Sequence, residues 1–359
     1  MIVQRRKTKE IKLGKVRIGG DAPISVQSMT NTDTRDVLKT VRQIKGLERE
    51  GCEIIRVAVP DKIAALGLGK IKKKIKIPLI ADIQFDYQLA LLALEQKVDG
   101  LRLNPGNIKD KKGIKLVARL AKEKNIPIRI GVNSGSLDKK LLKKYKGPAA
   151  EALVESALGE IRLLEDLGFE KIKVSLKSSD VPRTVKAYKL LAQKVSYPFH
   201  LGITEAGTLT GGIIKSAVGI GSLLAQGIGD TIRVSLTANP REEVRVGFEI
   251  LKALELRQYG PVLISCPTCG RCQIDLIKIA GEVERGLGKF PNLNLKVAVM
   301  GCPVNGPGEA READLGIAGG KGVGLLFKKG KIIKKVEEKD LVSALMKEIS
   351  NLNNALTTD

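Results

Sequence analysis

Three cysteines and one glutamate near the C-terminal end have the residue types and spacing of a metal site. Cys266 and Cys269 form a Cys-x-x-Cys pair, Cys302 lies in a later segment, and Glu309 follows within a Gly- and Pro-rich run. A Cys-x-x-Cys pair lets two thiolates reach one metal centre from a tight turn, and a third thiolate can approach from a second loop. Three sulfur ligands suit zinc or an iron-sulfur cluster. A carboxylate as fourth ligand is more exchangeable and suits a cluster iron that must meet substrate.

The other two cysteines are weaker candidates. Cys52 precedes a predicted strand, and we interpret it as a residue of the core. Cys272 extends the pair to Cys-x-x-Cys-x-x-Cys, but it also lies at the first turn of a helix predicted to begin near Gln273. We therefore favour Glu309 over Cys272 as the fourth ligand.

The composition excludes some classes of function. The chain has 359 residues and a formal net charge of +23, yet only 3% of its residues are aromatic and Trp is absent. The lysines are interleaved with apolar residues, as on the solvent faces of helices, and few rings are available to stack on bases. We expect no nucleic-acid partner, and we interpret the charge as suited to an anionic small substrate or an acidic protein.

The location is predicted to be cytoplasmic, with no membrane partner. No stretch reaches the roughly 18 to 20 apolar residues of a spanning helix, and the charged residues 1–7 lack a following apolar signal core. Four of the five cysteines lie between residues 266 and 302, which argues against a disulfide framework in a chain of this size.

Short β-branched runs separated by amphipathic helical stretches predict a (β/α)8 TIM-like barrel. The expected strands cover residues 24–29, 53–59, 78–83, 100–103, 127–132, 171–176, 198–203 and 231–236. A smaller α+β pattern follows, with strands at 262–265, 295–300, 322–327 and 331–336 and helices at 273–287 and 340–351. We predict a barrel domain over residues 1–259 and a small metal-binding domain over residues 260–359.

Polar and charged residues stand at or just past most of the predicted barrel strand ends, where such barrels place their active sites. They are Arg56, Asp82, Arg102, Asn104, Arg129, Asn133, Lys177, Glu205, Arg233 and Ser235. Guanidinium and ammonium groups that converge with Asn and Ser donors bind a multiply charged phosphate ester well. For a single arginine, a salt bridge within the barrel is an equal alternative. Repetition around the ring favours a shared anion pocket.

The motifs resemble those of the bacterial 4-hydroxy-3-methylbut-2-en-1-yl diphosphate synthase family, iron-sulfur enzymes of isoprenoid precursor synthesis. The resemblance covers nearly the whole chain. The matching segments are residues 25–32, 55–57, 81–83, 101–107, 131–137, 201–207, 229–235, 266–269, 301–302 and 305–309. Gln84 departs from the pattern, since the family often has histidine there.

The resemblance implies a reductive reaction. Two electrons and two protons open the ring of 2-C-methyl-D-erythritol 2,4-cyclodiphosphate and expel water, which leaves an allylic diphosphate. It also implies a [4Fe-4S] cluster, held by Cys266, Cys269, Cys302 and Glu309. The electron donor is expected to be a flavodoxin or ferredoxin, and the enzyme a homodimer whose active site is shared between two chains.

Carried onto this chain, the resemblance assigns roles at the barrel strand ends. Glu205 is expected to be the proton donor. The predicted diphosphate ligands are Arg56, Arg102, Arg129, Asn133, Lys177 and Ser235.

Two other functions are compatible with the residues alone. A zinc-stabilised barrel that acts on another phosphate ester, such as an aldolase or isomerase, has the same barrel but a structural metal. A basic RNA-binding module accounts for the charge but predicts steep salt dependence.

Overall fold

The chain divides into two units, Met1–Arg257 and Gln258–Asp359. The computed structural model describes residues 3–104, 108, 110–302 and 310–357. The first unit is built on an eight-stranded sheet and the second on a five-stranded sheet.

An N-terminal hairpin of β1 (Ile11–Leu13) and β2 (Val16–Ile18) precedes the barrel. Its apolar side chains pack with Ile54 and Ile80, which belong to the first halves of two barrel strands. The hairpin therefore buries the end of the barrel opposite the strand C-termini. The sequence analysis missed it, because a three-residue strand carries almost no alternation.

Eight parallel strands form the barrel, and this confirms the predicted fold class. They are β3 (Ser25–Met29), β4 (Ile54–Ala58), β5 (Leu79–Asp82), β6 (Gly100–Leu103), β7 (Ile128–Asn133), β8 (Ile172–Lys177), β9 (His200–Leu201) and β10 (Thr231–Ile232). They pair in the order β8-β7-β6-β5-β4-β3-β10-β9. A single parallel bridge between Val174 and Phe199 links the two ends of the sheet, so the barrel is nearly closed.

Helices follow the strands as the sequence pattern predicted. They are α1 (Val37–Arg49), α2 (Lys62–Lys72), α3 (Tyr87–Glu95), α4 (Lys111–Glu123), α5 (Lys139–Lys144), α6 (Ala150–Glu165), α7 (Val181–Ala192), α8 (Leu209–Leu224) and α9 (Pro240–Ala253). Many start at an acidic or amide cap whose side chain accepts a backbone N–H, such as Asp36, Asp61 and Asn239. In the part of the chain that the structure describes, none of the helices is long and apolar enough to cross a bilayer.

The second unit has a mixed sheet with helices packed on it. Its elements are β11 (Val262–Ser265), α10 (Leu276–Leu287), β12 (Lys296–Met300), β13 (Leu315–Gly319), β14 (Val323–Lys328), β15 (Lys331–Glu337) and α11 (Leu341–Thr357). The first three strands are parallel and the last two are antiparallel to their neighbours. Side chains of α10 and α11 share one buried core with β12 and β13.

Two details of this unit differ from the prediction. Strand β13 was not predicted, because its five residues include Gly316 and Gly319 and so resemble a turn. The predicted start of α10 was too early. The helix begins at Leu276, because Asp275 caps it by accepting the backbone N–H of Lys278 at 3.1 Å.

Candidate active site

Asp82 is the last residue of β5 and lies between two arginines of the neighbouring strands. Arg102 is one residue before the end of β6, whereas Arg56 is the middle residue of β4, which corrects its predicted place at a strand end. Its Oδ2 is 3.4 Å from Nε of Arg56, and its Oδ1 is 3.2 Å from Nη1 of Arg102. All three side chains are buried. Burial raises the pKa of Asp82, but the two arginines outweigh it, so the pKa lies below its ordinary value. The salt-bridge alternative is thus correct for these two arginines, although one carboxylate serves both.

A second buried carboxylate, Glu243 on α9, was not predicted. It accepts hydrogen bonds from Nη2 of Arg233 at 3.3 Å, from Oγ of Ser28 at 3.2 Å and from the backbone N–H of Leu236 at 3.1 Å. The sequence signal was available, because Glu243 falls on the same helical face as the buried Val244 and Gly247. A carboxylate on the buried face of an amphipathic helix needs a partner in the interior.

Lys177 is buried at the end of β8 and forms no ion pair with any described carboxylate. Burial and the nearby Arg129 and Arg233 hold its pKa well below the ordinary lysine value. A Cβ at position 202 would lie 2.7 Å from Nζ of Lys177, so Gly202 leaves the space that this side chain needs. Asn133 ends β7 in register with Lys177 and brings its amide to the same level.

Arg129 is not at a strand end, and this corrects the prediction. It is the second residue of β7, four residues before Asn133, which places its Cα roughly 13 Å deeper along the strand. The reason is the length of β7, whose inner face carries Arg129, Gly131 and Asn133 by alternation. Burial lowers the pKa of Arg129, and the charges of Arg56 and Arg102 lower it further.

The barrel interior therefore carries more positive than negative charge. Around the open end, two buried carboxylates, Asp82 and Glu243, lie among five cationic side chains, and deeper in the barrel the buried Asp230 is matched by the buried Lys173. The cations are Arg56, Arg102, Arg129, Lys177 and Arg233. Such an excess in a buried setting favours a multiply charged anion.

Glu205 lies on the loop that follows β9, at the same end of the barrel as Asp82. Its side chain is exposed and its φ is +52°, in the left-handed region that favours glycine. Ser235 is half-buried and follows β10 on the same side.

The cysteines of the second unit lie on loops that follow adjacent strands. Ser265 pairs with Val299, so the loops beginning at Cys266 and near Cys302 leave the sheet at the same edge. Sγ of Cys266 accepts the backbone N–H of Gly301 at 3.2 Å. Cys302 is buried and Cys269 is exposed.

These residues fit a metal centre in chemistry but do not form a closed ligand set. Within residues 3–104, 108, 110–302 and 310–357, no three Cys, His, Asp or Glu side chains lie close enough together to hold a metal ion. Glu309, the predicted fourth ligand, lies outside the described residues. The fit rests on two thiols at one sheet edge and on the N–H bond to Cys266, the kind of contact that stabilises a metal-bound sulfur.

The remaining two cysteines each donate a hydrogen bond to a nearby backbone carbonyl. Cys52 is buried and its Sγ donates to the carbonyl of Ile54 at 3.2 Å, and burial raises its pKa to about 12, as expected for a core thiol. Cys272 lies on the loop before α10, where its Sγ donates to the carbonyl of Ile274 at 3.3 Å. A Cβ at position 301 would lie 2.6 Å from that sulfur, so Gly301 allows the two cysteine loops to approach.

Comparisons with known proteins decide the family. The model described as "GcpE TIM-barrel domain" matches residues 8–248, and the model described as "GcpE protein C-terminal domain" matches residues 262–351. The chain belongs to the GcpE family.

Relatives in this family share a name and almost their full length with the chain. A 4-hydroxy-3-methylbut-2-en-1-yl diphosphate synthase (flavodoxin) of Geobacter sulfurreducens is 62% identical over 97% of this chain and 98% of its own. The protein of the same name from Clostridium acetobutylicum is 61% identical over 98% of this chain and 100% of its own. These names do not support the zinc-stabilised alternative.

A solved structure supports the fold alone. A Plasmodium falciparum HPPK-DHPS is similar with a TM-score of 0.52 and 14% identity, over 69% of this chain and 49% of that chain. At that identity the match supports the barrel fold and says nothing about the reaction that this chain catalyses.

Proposed function

We propose that the chain catalyses the two-electron reductive ring opening of 2-C-methyl-D-erythritol 2,4-cyclodiphosphate. The products are 4-hydroxy-3-methylbut-2-enyl diphosphate and water, with two electrons and two protons consumed. The observation that carries the proposal is the excess of buried cationic side chains in a barrel whose relatives are named for a diphosphate product. Cleavage of the ring C–O bond leaves negative charge on the freed phosphate oxygen until that oxygen takes up the second proton, and these cations stabilise it.

The diphosphate ligands are proposed to work at different depths. Arg56 and Arg102 are fixed by Asp82, so their guanidinium groups are oriented before the substrate arrives. Lys177 and Arg129 have no carboxylate partner among the described residues and gain most from a bound phosphate. Asn133 and Ser235 supply neutral donors at the rim.

We propose that Cys266, Cys269, Cys302 and Glu309 hold a [4Fe-4S] cluster. When bound, it supplies single electrons at low potential to the ring-opening chemistry. The support is the donor set and the hydrogen bond from Gly301 to Cys266. The exchangeable carboxylate suits an iron that meets a substrate oxygen.

Single cysteine variants test the function and the ligand set together. Protein purified without oxygen should be brown, contain about four irons per chain and turn over the cyclic diphosphate with reduced flavodoxin. Cys302→Ser should lose most of its iron and activity, and Glu309→Ala should leave a labile cluster. The matched controls Cys272→Ser and Cys52→Ser should keep both iron and turnover. A colourless preparation that holds zinc, or a Cys272→Ser variant that behaves like Cys302→Ser, would contradict the assignment.

Glu205 is proposed as the acid that protonates the departing hydroxyl. The support is its position, since its exposed carboxyl lies on the loop after β9 at the end of the barrel where such folds place their active sites. Removing a proton donor of this kind costs roughly 10² to 10⁴ in rate.

Glu205→Gln should therefore lower kcat by about 10² or more and change KM little, because the amide keeps the shape but donates no acidic proton. Steady-state turnover with a chemical reductant checks this. Glu242→Gln, which alters a glutamate on the outer part of α9, is the control and should retain wild-type kcat. A kcat within twofold of wild type in Glu205→Gln would remove it from the mechanism.

The proposed electron donor is a flavodoxin, and the proposed location is the cytoplasm. The net charge of +23 favours an acidic redox partner, and the relatives carry flavodoxin in their names. Thiols that hold a cluster require a reducing compartment.

We also propose a homodimer, with an active site that draws on both chains as the family resemblance implies. The outer face of α8 supports a contact between barrels. Ile214 and Val218, one turn apart, are 58% and 53% exposed there, and Lys215 is the helix's only charged residue. Two copies that each carry +23 repel one another, so a face nearly free of charge suits their contact.

Ile214→Glu should convert the dimer to a monomer, because it places like carboxylates in a self-complementary contact. Light scattering coupled to size-exclusion chromatography should give about twice the 38.7 kDa chain mass for wild type and one chain mass for the variant. Leu116→Glu is the matched control, since Leu116 is 51% exposed on α4. A monomeric wild type, or equal dissociation in both variants, would rule out this face.

A further inference from the structure

A layer of polar side chains lies in the barrel beneath the residues at its open end. Gln27 on β3, Lys173 on β8 and His200 on β9 are 0%, 2% and 0% exposed, and Arg129 on β7 is 3% exposed. Among the described residues, both amide atoms of Gln27, Nζ of Lys173 and Nε2 of His200 have no hydrogen-bond partner, nor do Nε and Nη1 of Arg129. We call these four residues the deep layer.

The deep layer faces the barrel axis. Lys173 alternates with Ser175 and Lys177 along β8, and it is the register partner of Arg129 on β7. Gln27 has the same parity as Met29, whose sulfur contacts the guanidinium of Arg56. The mechanism proposed above uses Arg129 but not the other three.

Among the described residues, one carboxylate lies within electrostatic range of Lys173, and it is already hydrogen-bonded to other groups. Asp230 accepts hydrogen bonds from Arg5 at 3.2 Å, from Thr8 at 3.0 Å and from the backbone N–H of Phe199 at 2.8 Å. Lys173 makes no ion pair with it in the described part of the chain.

The other groups that face Lys173 are Arg129 from β7, Arg56 from β4 and the imidazole of His200 from β9. Burial lowers the pKa of Lys173 to about 7, with Arg129 and Arg56 lowering it and Asp230 raising it. The protonated and neutral forms of the Lys173 amine are therefore both populated near neutral pH. His200 does not share this balance, because burial and the same cations keep its pKa well below the ordinary value.

We propose that Lys173 takes up a proton when a diphosphate binds above it, so that the charge of the deep layer follows the occupancy of the barrel. The inference rests on the proposed diphosphate site. Phosphate oxygens beside Arg129 and Arg56 offset the repulsion that those arginines exert on an ammonium at Lys173. Lys173 is then a positioning residue, which acts on the anion through Arg129 without contact.

The sign of the pH dependence follows. Below about pH 6 the free protein already holds the proton on Lys173, so binding takes up none there. Above about pH 8 the free protein has lost most of it, and binding must restore it. Anion affinity should therefore fall as pH rises from about 7 to 8.5, by up to tenfold per pH unit.

Calorimetric titration of the full chain with inorganic pyrophosphate tests this. The titration is run at pH 6 and pH 8, each in two buffers of different ionisation enthalpy, which gives the number of protons taken up. At pH 8 wild type should take up roughly 0.5 to 1 proton more than Lys173→Met, and at pH 6 the two should agree. Pyrophosphate also titrates, but its contribution is common to both proteins.

Two further variants separate charge from structure. Lys173→Arg stays cationic at both pH values, so it should bind pyrophosphate without the extra proton and with a flatter pH profile. Lys171→Met, which alters an exposed lysine just before the same strand, should match wild type. If Lys173→Met does not fold, the comparison of proton uptake between wild type and Lys173→Arg still tests the proposal.

Equal proton uptake at pH 8 in wild type, Lys173→Met and Lys173→Arg would overturn the role of Lys173 and leave the diphosphate site intact. Failure of wild type to bind pyrophosphate at all would overturn the diphosphate site and this inference together. Iron content and colour are independent of both outcomes.

Discussion

An excess of buried positive charge is the constraint on which the barrel depends. Burial removes the hydration of a cation, and the loss is offset only where an anion or a hydrogen-bond acceptor replaces the water. Asp82 and Glu243 do this for three arginines. Arg129, Lys173 and Lys177 are left without a described carboxylate partner, so burial lowers the pKa of each, and a multiply charged ligand is the partner that we propose for them.

Several features of the fold keep that charge buried and oriented. The β1–β2 hairpin packs on Ile54 and Ile80 and separates the barrel interior from water at the far end. Gly202 gives Lys177 room to lie along the wall. Asp82 and Glu243 fix the directions of Arg56, Arg102 and Arg233 without neutralising the interior, which suits the proposed diphosphate site.

Much of the barrel was predictable because its signals are local. Strands and helices alternate with clear periods, and polar residues at strand C-termini marked the open end, including Asp82 and Lys177. How far each side chain lies below the open end of the barrel was not predictable in the same way. Arg129 falls four residues before the end of β7, and only the strand register places it beside Lys173. The sequence around Lys173 does not distinguish it from the many exposed lysines of the chain, because burial depends on the tertiary structure.

Less of the second unit could be predicted from the sequence. The thiols were identified by spacing, but the convergence of their loops follows from the parallel pairing of β11 with β12, which no local pattern contains. Glu243 was overlooked because Glu242, its neighbour, suits a helix cap equally well. Short or glycine-containing strands such as β13 lack the alternation that identifies longer ones.

Phosphorus NMR of the cyclic diphosphate, titrated with protein from which iron has been removed, tests the central claim most directly. The account predicts saturable changes in the phosphorus resonances at one ligand per chain, weakened by salt and reversed by pyrophosphate, because the buried cations bind the diphosphate without help from a metal. Unchanged resonances at millimolar concentrations of ligand and protein would contradict it.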